Sequence, residues 1–322
     1  MKRFKNILYV FEKSITQDTV IARAVSLAQN NQARLTVVDV VAEQTAGIRM
    51  PPGGPIAKDI TAAMVEKRRE MLESLIAPYK GLLDISVEVF VGIKFLEVIR
   101  AVLQNDHDLV IKPAENPSWI ERLFGSDDMH LLRKTPCPVW LMKEKEKSNY
   151  ERILAAVDFN PDETESNEQA LNQQILGLAS SLALSDFAQL HLAHVWDAPD
   201  AGFVSVWADN SEVSEMNIIK AVRAQHKAGM DRLTQTLSEQ IGAETYKYLT
   251  PQVHLPMGSG KKEIPALVKE LKIDLVVMGT VSRTGIPGFI IGNTAETILD
   301  QLQCSVLVIK PPGFVSPVPK ES

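Results

Sequence analysis

The chain has 322 residues, of which 45% are hydrophobic and 23% charged, and a net charge of −6. That is enough apolar material for two cores without disulfide staples, and the acidic balance argues against a whole-chain nucleic-acid binder. No run approaches the roughly 18 apolar residues that would span a bilayer. The basic start MKRFKNILYVF lacks a long apolar run and a small-residue cleavage site, so no signal peptide is expected. Cys137 and Cys304 are far apart with no CxxC, and they read as buried thiols of a reducing compartment. The expected location is the cytoplasm, without membrane embedding.

In the first half, β-branched runs predict strands near 6–11, 34–41, 85–91, 108–112 and 138–142. Helical spacing falls between them. DTVIARAVSLAQNNQ sets Val20, Ala24, Leu27 and Ala28 on one face, and FLEVIRAVLQN does the same with Leu96, Ile99, Val102 and Leu103. A long connection after the second strand carries MPPGGPIA, whose Pro and Gly break regular structure. The charged run KEKEKSNYE, Lys143 to Glu151, reads as a solvated linker between the halves.

The second half predicts strands near 152–157, 189–195, 250–256, 274–278 and 305–309, with helices around 165–184 and 262–271. Its long connection, DAPDAGFVSVWADN, carries Phe203, Val206 and Trp207. These read either as anchors onto the protein or as a wall of an apolar ligand cleft. Runs such as ILAAV and LVVMG are apolar throughout, as strands buried on both faces are. Alternating strand and helix then implies a parallel sheet covered on both sides.

The two halves repeat one another. NILYVFEKS aligns with RILAAVDFN, ARLTVVDVVA with AQLHLAHVWD, and VGIKFLEVIRAVLQNDHDLVIK with MGSGKKEIPALVKELKIDLVVM. LLRKTPCPVWLMK aligns with ILDQLQCSVLVIK, so that Gly92 meets Gly258 and Cys137 meets Cys304. Four collinear matches, offset by about half the chain, mark a whole-domain duplication. The predicted fold is two tandem doubly wound α/β domains of five parallel strands each, spanning 1–146 and 147–314. PVWLMK and SVLVIK are apolar enough to need covering, and an intramolecular pseudo-dimer is expected. Whether the whole chain forms a homodimer is left open.

The segment DLVVMGTVSRTGIPGFIIGNTAETIL, 274–299, carries the chemistry. A buried strand ends at Met278, a Gly-rich loop follows, and Gly292-Asn293-Thr294 opens a helix. Glycines let a backbone approach a ligand or take positive φ, and the helix start offers free N–H groups to an anion. The bland alternative is that the glycines serve tight turns and that Asn293 or Thr294 caps the helix. No Walker A motif and no GxSxG elbow is present. His191 and His194 alternate along a strand, face opposite sides and do not read as a metal pair. Glu163 and Glu165 suit a helix start rather than an acid/base pair.

At this loop the chain resembles the universal stress protein family. ATP-binding members with one domain carry Gly-x2-Gly-x9-Gly-Ser/Thr between the fourth strand and the last helix. Gly279 and Gly292 fit the first and third glycines, Ser282 stands in place of the second, and Asn293, followed by Thr294, in place of Ser/Thr. The resemblance implies Asp158 near the ribose or adenine and Val195 and Met278 along the adenine slot. The strings HDLVIK, HLLRKTPCPVW and GNTAETIL look like two-domain, E-type members. The first half reads IKPAENPSWIERLFGSDD there. Pro113 and Asn116 replace the first two glycines, Gly125-Ser126 keeps the last pair one residue short, and Trp119, Ile120, Leu123 and Phe124 fill the loop. That half is expected to have lost the phosphate cradle.

The resemblance implies a cytoplasmic stress-response protein. It would bind ATP or a related nucleotide in its second domain, with Mg accompanying the phosphates, and act by regulation rather than catalysis. Two other readings stand beside it. One is a binder of an amphipathic ligand such as an acylated nucleotide sugar or a lipid. The other is a slow ATP hydrolase, slow because no general base or metal triad is apparent. A pure interaction scaffold is expected if neither ligand class binds.

Overall fold

The computed structural model describes residues 4–13, 18–43, 54–114, 126–143, 146–161, 166–198, 211–280 and 292–320. Contacts divide the chain into two compact units, one mainly Arg3–Ser148 and the other mainly 149–313. The first unit runs β1 (Asn6–Val10), α1 (Asp18–Asn31), β2 (Arg34–Val41), α2 (Pro55–Ile76), β3 (Ile85–Val91), α3 (Lys94–Asn105), β4 (Leu109–Pro113), α4 (Asp127–Lys134) and β5 (Val139–Met142). Its five strands are ordered β3-β2-β1-β4-β5 and pair in parallel. The centre of that sheet is dry: β1, β4 and β5 are buried at every residue.

The second unit runs β6 (Arg152–Ala156), α5 (Ser166–Asp186), β7 (Gln189–Ala193), α6 (Ser211–Ile241), α7 (Ala243–Leu249), β8 (Gln252–His254), α8 (Gly260–Glu270), β9 (Leu275–Gly279), α9 (Asn293–Gln301) and β10 (Ser305–Ile309). Its strands follow the same order, β8-β7-β6-β9-β10, again in parallel. In both units the strand order reverses direction beside the first strand. A crevice opens there at the carboxyl ends of a doubly wound sheet.

The repeat has identifiable physical causes. Asp108 accepts hydrogen bonds from the N–H groups of Lys5 and Asn6 at 2.7 and 3.1 Å, fixing the start of β1. Asp274 does the same for Glu151 and Arg152 at 2.8 and 3.1 Å. Gly92 and Gly258 have φ of +150° and +146°, and a Cβ at either would come within 2.9 Å of the Glu97 or Glu263 carboxylate. Only glycine fits those turns into α3 and α8.

Two elements differ from the sequence reading. The tripeptide Pro55-Ile56-Ala57, read as part of a broken connection, already belongs to α2: Gly54 is the N-cap and Pro55 the first helical residue, where a missing N–H costs nothing. The third strand of the second unit is only Gln252–His254, because Pro251 and Pro256 bound it and cannot donate to a ladder. The 31-residue α6 carries Ile218, Ile219 and Val222 packed against the buried Trp196 and Ala198, with Met230 and Leu237 buried further along. That is one apolar stripe at helical spacing. Among the described residues, no helix is long and apolar enough to cross a membrane.

Candidate functional site

At the crossover of the second unit lies a cavity of about 250 Å³, just below the usual size of small-molecule sites. β6 delivers Ala156, Val157 and Asp158, and β9 delivers Met278 and Gly279. α5 supplies Glu168, Leu171, Asn172 and Ile175, while α8 and α9 supply Gly260, Ile264, Thr294, Ala295 and Ile298. The depth is aliphatic, and the polar groups are few: Asp158, Glu168, Asn172 and Thr294.

Two helices begin at this cavity. Ser259 is the N-cap of α8 and Gly292 the N-cap of α9, and neither helix start receives a side-chain cap. Ser259 accepts on its carbonyl from Lys262 and Glu263, and Gly292 from Glu296. Among the described residues, neither Ser259 nor Gly292 gives the first N–H groups of its helix a side-chain acceptor. Uncapped helix starts carry partial positive charge and favour anions.

Of the residues singled out in the sequence, Asp158, Val195, Met278, Gly279 and Thr294 line this one cavity. Gly292 and Asn293 stand beside it at the helix start without lining it, and Asn293 accepts on its carbonyl from Thr297 Oγ1 at 2.7 Å. Neither Asn293 nor Thr294 caps the helix. Ser282 lies outside the described residues, as do Asn116, Trp119, Ile120, Leu123, Phe124, Gly125, Glu163, Glu165, Phe203, Val206 and Trp207. Of the two uses expected of the glycines, close approach and positive φ, the second is found at neither Gly279 nor Gly292. Gly292 has φ −61°, and Gly279 ends an extended strand. At Gly279 the constraint is steric, since a Cβ would meet Leu171 Cδ2 at 2.8 Å. Glycine there lets α5 close over the strand end.

The Universal stress protein family model matches residues 3–143 and again 149–310. The chain belongs to the universal stress protein family. It carries two family domains in tandem and is of the E type. It is 28% identical over 327 residues to universal stress protein E of Photorhabdus laumondii, covering 99% of this chain and 98% of that one. To universal stress protein E of Escherichia coli (strain K12) it is 29% identical over 330 residues, with the same coverage. Among solved structures it resembles PA1789 of Pseudomonas aeruginosa PAO1, described as functionally unknown, at 26% identity and TM-score 0.65, covering 96% of this chain and 93% of that one. A universal stress protein from Archaeoglobus fulgidus shares the fold, with TM-score 0.61, 19% identity and coverage of 96% and 97%.

The first family domain has the same register and different chemistry. Ile7 pairs with Leu109 as Ile153 pairs with Leu275, which sets Glu12 at the position of Asp158 and Lys112 at that of Met278. Lys112 is fully buried and reaches Asp128 at 2.7 Å and Glu12 at 3.2 Å. Glu12 also holds Lys94 at 2.7 Å. Burial pushes the Glu12 carboxyl up, but Lys112 and Lys94 prevail and hold it down to about 2. Ser126 caps α4 by accepting from the Met129 N–H at 3.2 Å, and Asp127 and Asp128 fill its first turn. The helix start that is bare in the second domain is already neutralised here.

His191 and His194 go separate ways. His191 Nδ1 lies 3.0 Å from His254 Nε2, and His194 Nε2 lies 2.8 Å from His226 Nδ1. Burial, His254 and Arg152 lower the His191 pKa to about 4. The sequence reading missed Asn172, which is 3% exposed. Its signal was a carboxamide inside the apolar face of a helix, a place polar groups occupy only with partners.

Proposed function

We propose that the second domain binds ATP or a related adenine nucleotide and that the chain acts in the cytoplasm as a regulatory binding protein rather than a catalyst. The observation that carries this reading is the pair of uncapped helix starts, at Gly260 and Thr294, on one aliphatic cavity at the sheet crossover. An aliphatic slot suits a flat base, and bare N–H groups suit phosphate oxygens. A carboxylate accepts from sugar hydroxyls, and Asp158 on the lining is the candidate for that role. The residues present therefore fit the nucleotide. Asp158 and Glu168 are the acidic residues of the lining, and among the described residues of the lining no activated nucleophile accompanies them, which supports binding rather than turnover.

The test is to purify the chain without added ligand, denature it, and identify released small molecules by mass spectrometry. Ala295→Asp is the control. It copies Asp128 of the first domain and suits a helix first turn, but sets a negative charge where phosphate would lie. Adenine nucleotide in the wild type, reduced tenfold or more in the variant, supports the reading. Nucleotide retained equally by both overturns the phosphate placement. An acylated molecule instead, which the aliphatic lining would also take, moves the reading to an amphipathic ligand.

A further inference from the structure

We infer that Asn172 is the positioning residue of the second domain's site. It sets Asp158 for recognition of a ribose hydroxyl, and this rests on the nucleotide reading above. The Asn172 carboxamide grips the main chain of Asp158 from both sides. Its Nδ2 donates to the Asp158 carbonyl at 2.7 Å and its Oδ1 accepts from the Asp158 N–H at 3.3 Å. This is a two-point clamp on a residue just beyond the end of β6, where the ladder no longer fixes the chain.

A second observation points the same way from the other side. Phe159 stacks on the His194 ring at 3.8 Å between centroids and 17° between planes. A Cβ on Gly229 of α6 would meet Phe159 Cε2 at 2.3 Å, so the helix presses directly onto that ring. Residue 158 is therefore held by its own main chain and by its neighbour's side chain, while its carboxylate is 56% exposed. A buried carboxamide spent on the backbone of a half-exposed acid at a cavity rim fixes the point from which that acid reaches out, and Asp158 Oδ1 stands 4.0 Å from His194 Nδ1. Pre-organisation of this kind spares the entropy of ordering a contact when a ligand arrives.

The experiment uses the full chain and compares ATP with 2′,3′-dideoxy-ATP by calorimetry. Asp158→Ala removes the carboxylate. Asn172→Leu keeps the volume and removes both hydrogen bonds, and Asn172→Ser serves if the leucine variant does not melt cooperatively. Asp158→Ala should weaken ATP about tenfold and abolish the preference over the dideoxy form, the effect of one lost hydrogen bond to a charged group. Asn172→Leu should lower the ATP to dideoxy-ATP affinity ratio to the same extent. In the Asp158→Ala background it should change the ATP to dideoxy-ATP ratio no further. Equal loss for both nucleotides, or an unchanged ratio, overturns the positioning role. A wild type that binds ATP without preferring it overturns this inference alone. A wild type that binds neither nucleotide overturns the function reading and this inference with it.

Discussion

The two domains share strand order, register, the aspartate that starts the first strand and the glycine of the third crossover, yet they differ at four positions that line the cavity of the second. Asp158, Met278, Gly260 and Ala295 there correspond to Glu12, Lys112, Lys94 and Asp128 in the first domain. In one domain the strand ends and helix starts meet an aliphatic space. In the other they meet two lysines bonded to two carboxylates. A doubly wound sheet leaves a crevice at its crossover whatever the sequence. What fills the crevice is a matter of a few side chains, so two copies of one domain can hold an aliphatic space in one and an ion cluster in the other.

The sharpest way to break the comparison is Lys112→Met, which installs the residue the second domain has at Met278. Lys112 is fully buried, so its removal takes one cation away from both Glu12 and Asp128. Breaking a buried pair by removing one partner costs about 3–5 kcal/mol. Urea unfolding, followed by hydrogen exchange of first-domain peptides, should show that loss confined to the first domain. Lys112→Met with Asp128→Ala should recover much of it, since removing both sides of a pair is far milder than removing one. A single-variant loss below about 1 kcal/mol would mean that water already screens the cluster.

Acid separates the domains next. His107 of the first domain is 5% exposed and neither ring nitrogen has a partner among the described residues. Burial lowers its pKa to about 4, close to the value of His191 in the second. A histidine held below its unfolded value binds fewer protons folded than unfolded. Its contribution is therefore complete above about pH 6.5 and lost as pH falls towards 4. Each should withdraw about 2–3 kcal/mol over that window. Glu12, held down to about 2, keeps its contribution until pH falls below its unfolded value near 4.5 and loses it as pH falls through 2. Protection measured by hydrogen exchange should fall in both domains between pH 6.5 and 4. Below 4.5 the first domain should show an additional loss tied to Glu12, and Glu12→Gln should remove that second step.

Most of the fold was legible in the sequence because its strands are short, apolar and bounded by turn residues. Strands expected at 34–41, 85–91 and 305–309 are found with those bounds. The Gly-rich loop led to Gly279 and Thr294, and the family resemblance led to Asp158, Val195 and Met278. What the sequence could not give was which contacts each residue makes. Gly279 fitted the first glycine of a ligand loop, and its packing beneath Leu171 is a further constraint that the sequence does not show. Asn172 looked like one helix position among many, since its value depends on a main chain fourteen residues away. The ion cluster was hidden for the same reason: Pro113 signalled a lost cradle, but Lys112 within an apolar strand needs the partners from β1 and α4 before its burial makes sense.

The mildest contrast concerns the last helix of each domain. Ser126 caps α4 through the Met129 N–H, whereas its counterpart Asn293 is exposed and caps nothing. Removing a working cap costs about 1 kcal/mol. Ser126→Ala should therefore lower first-domain stability by about that amount, seen as faster exchange in peptides covering 127–134. Asn293→Ala should leave second-domain stability within about 0.5 kcal/mol, the usual range for surface changes, because the N–H groups there have no side-chain partner to lose. If adenine nucleotide binds at that helix start, adding it should slow exchange at 293–296 in the second domain and leave the capped helix of the first unchanged. A bound anion would then be doing for α9 what Ser126 does for α4.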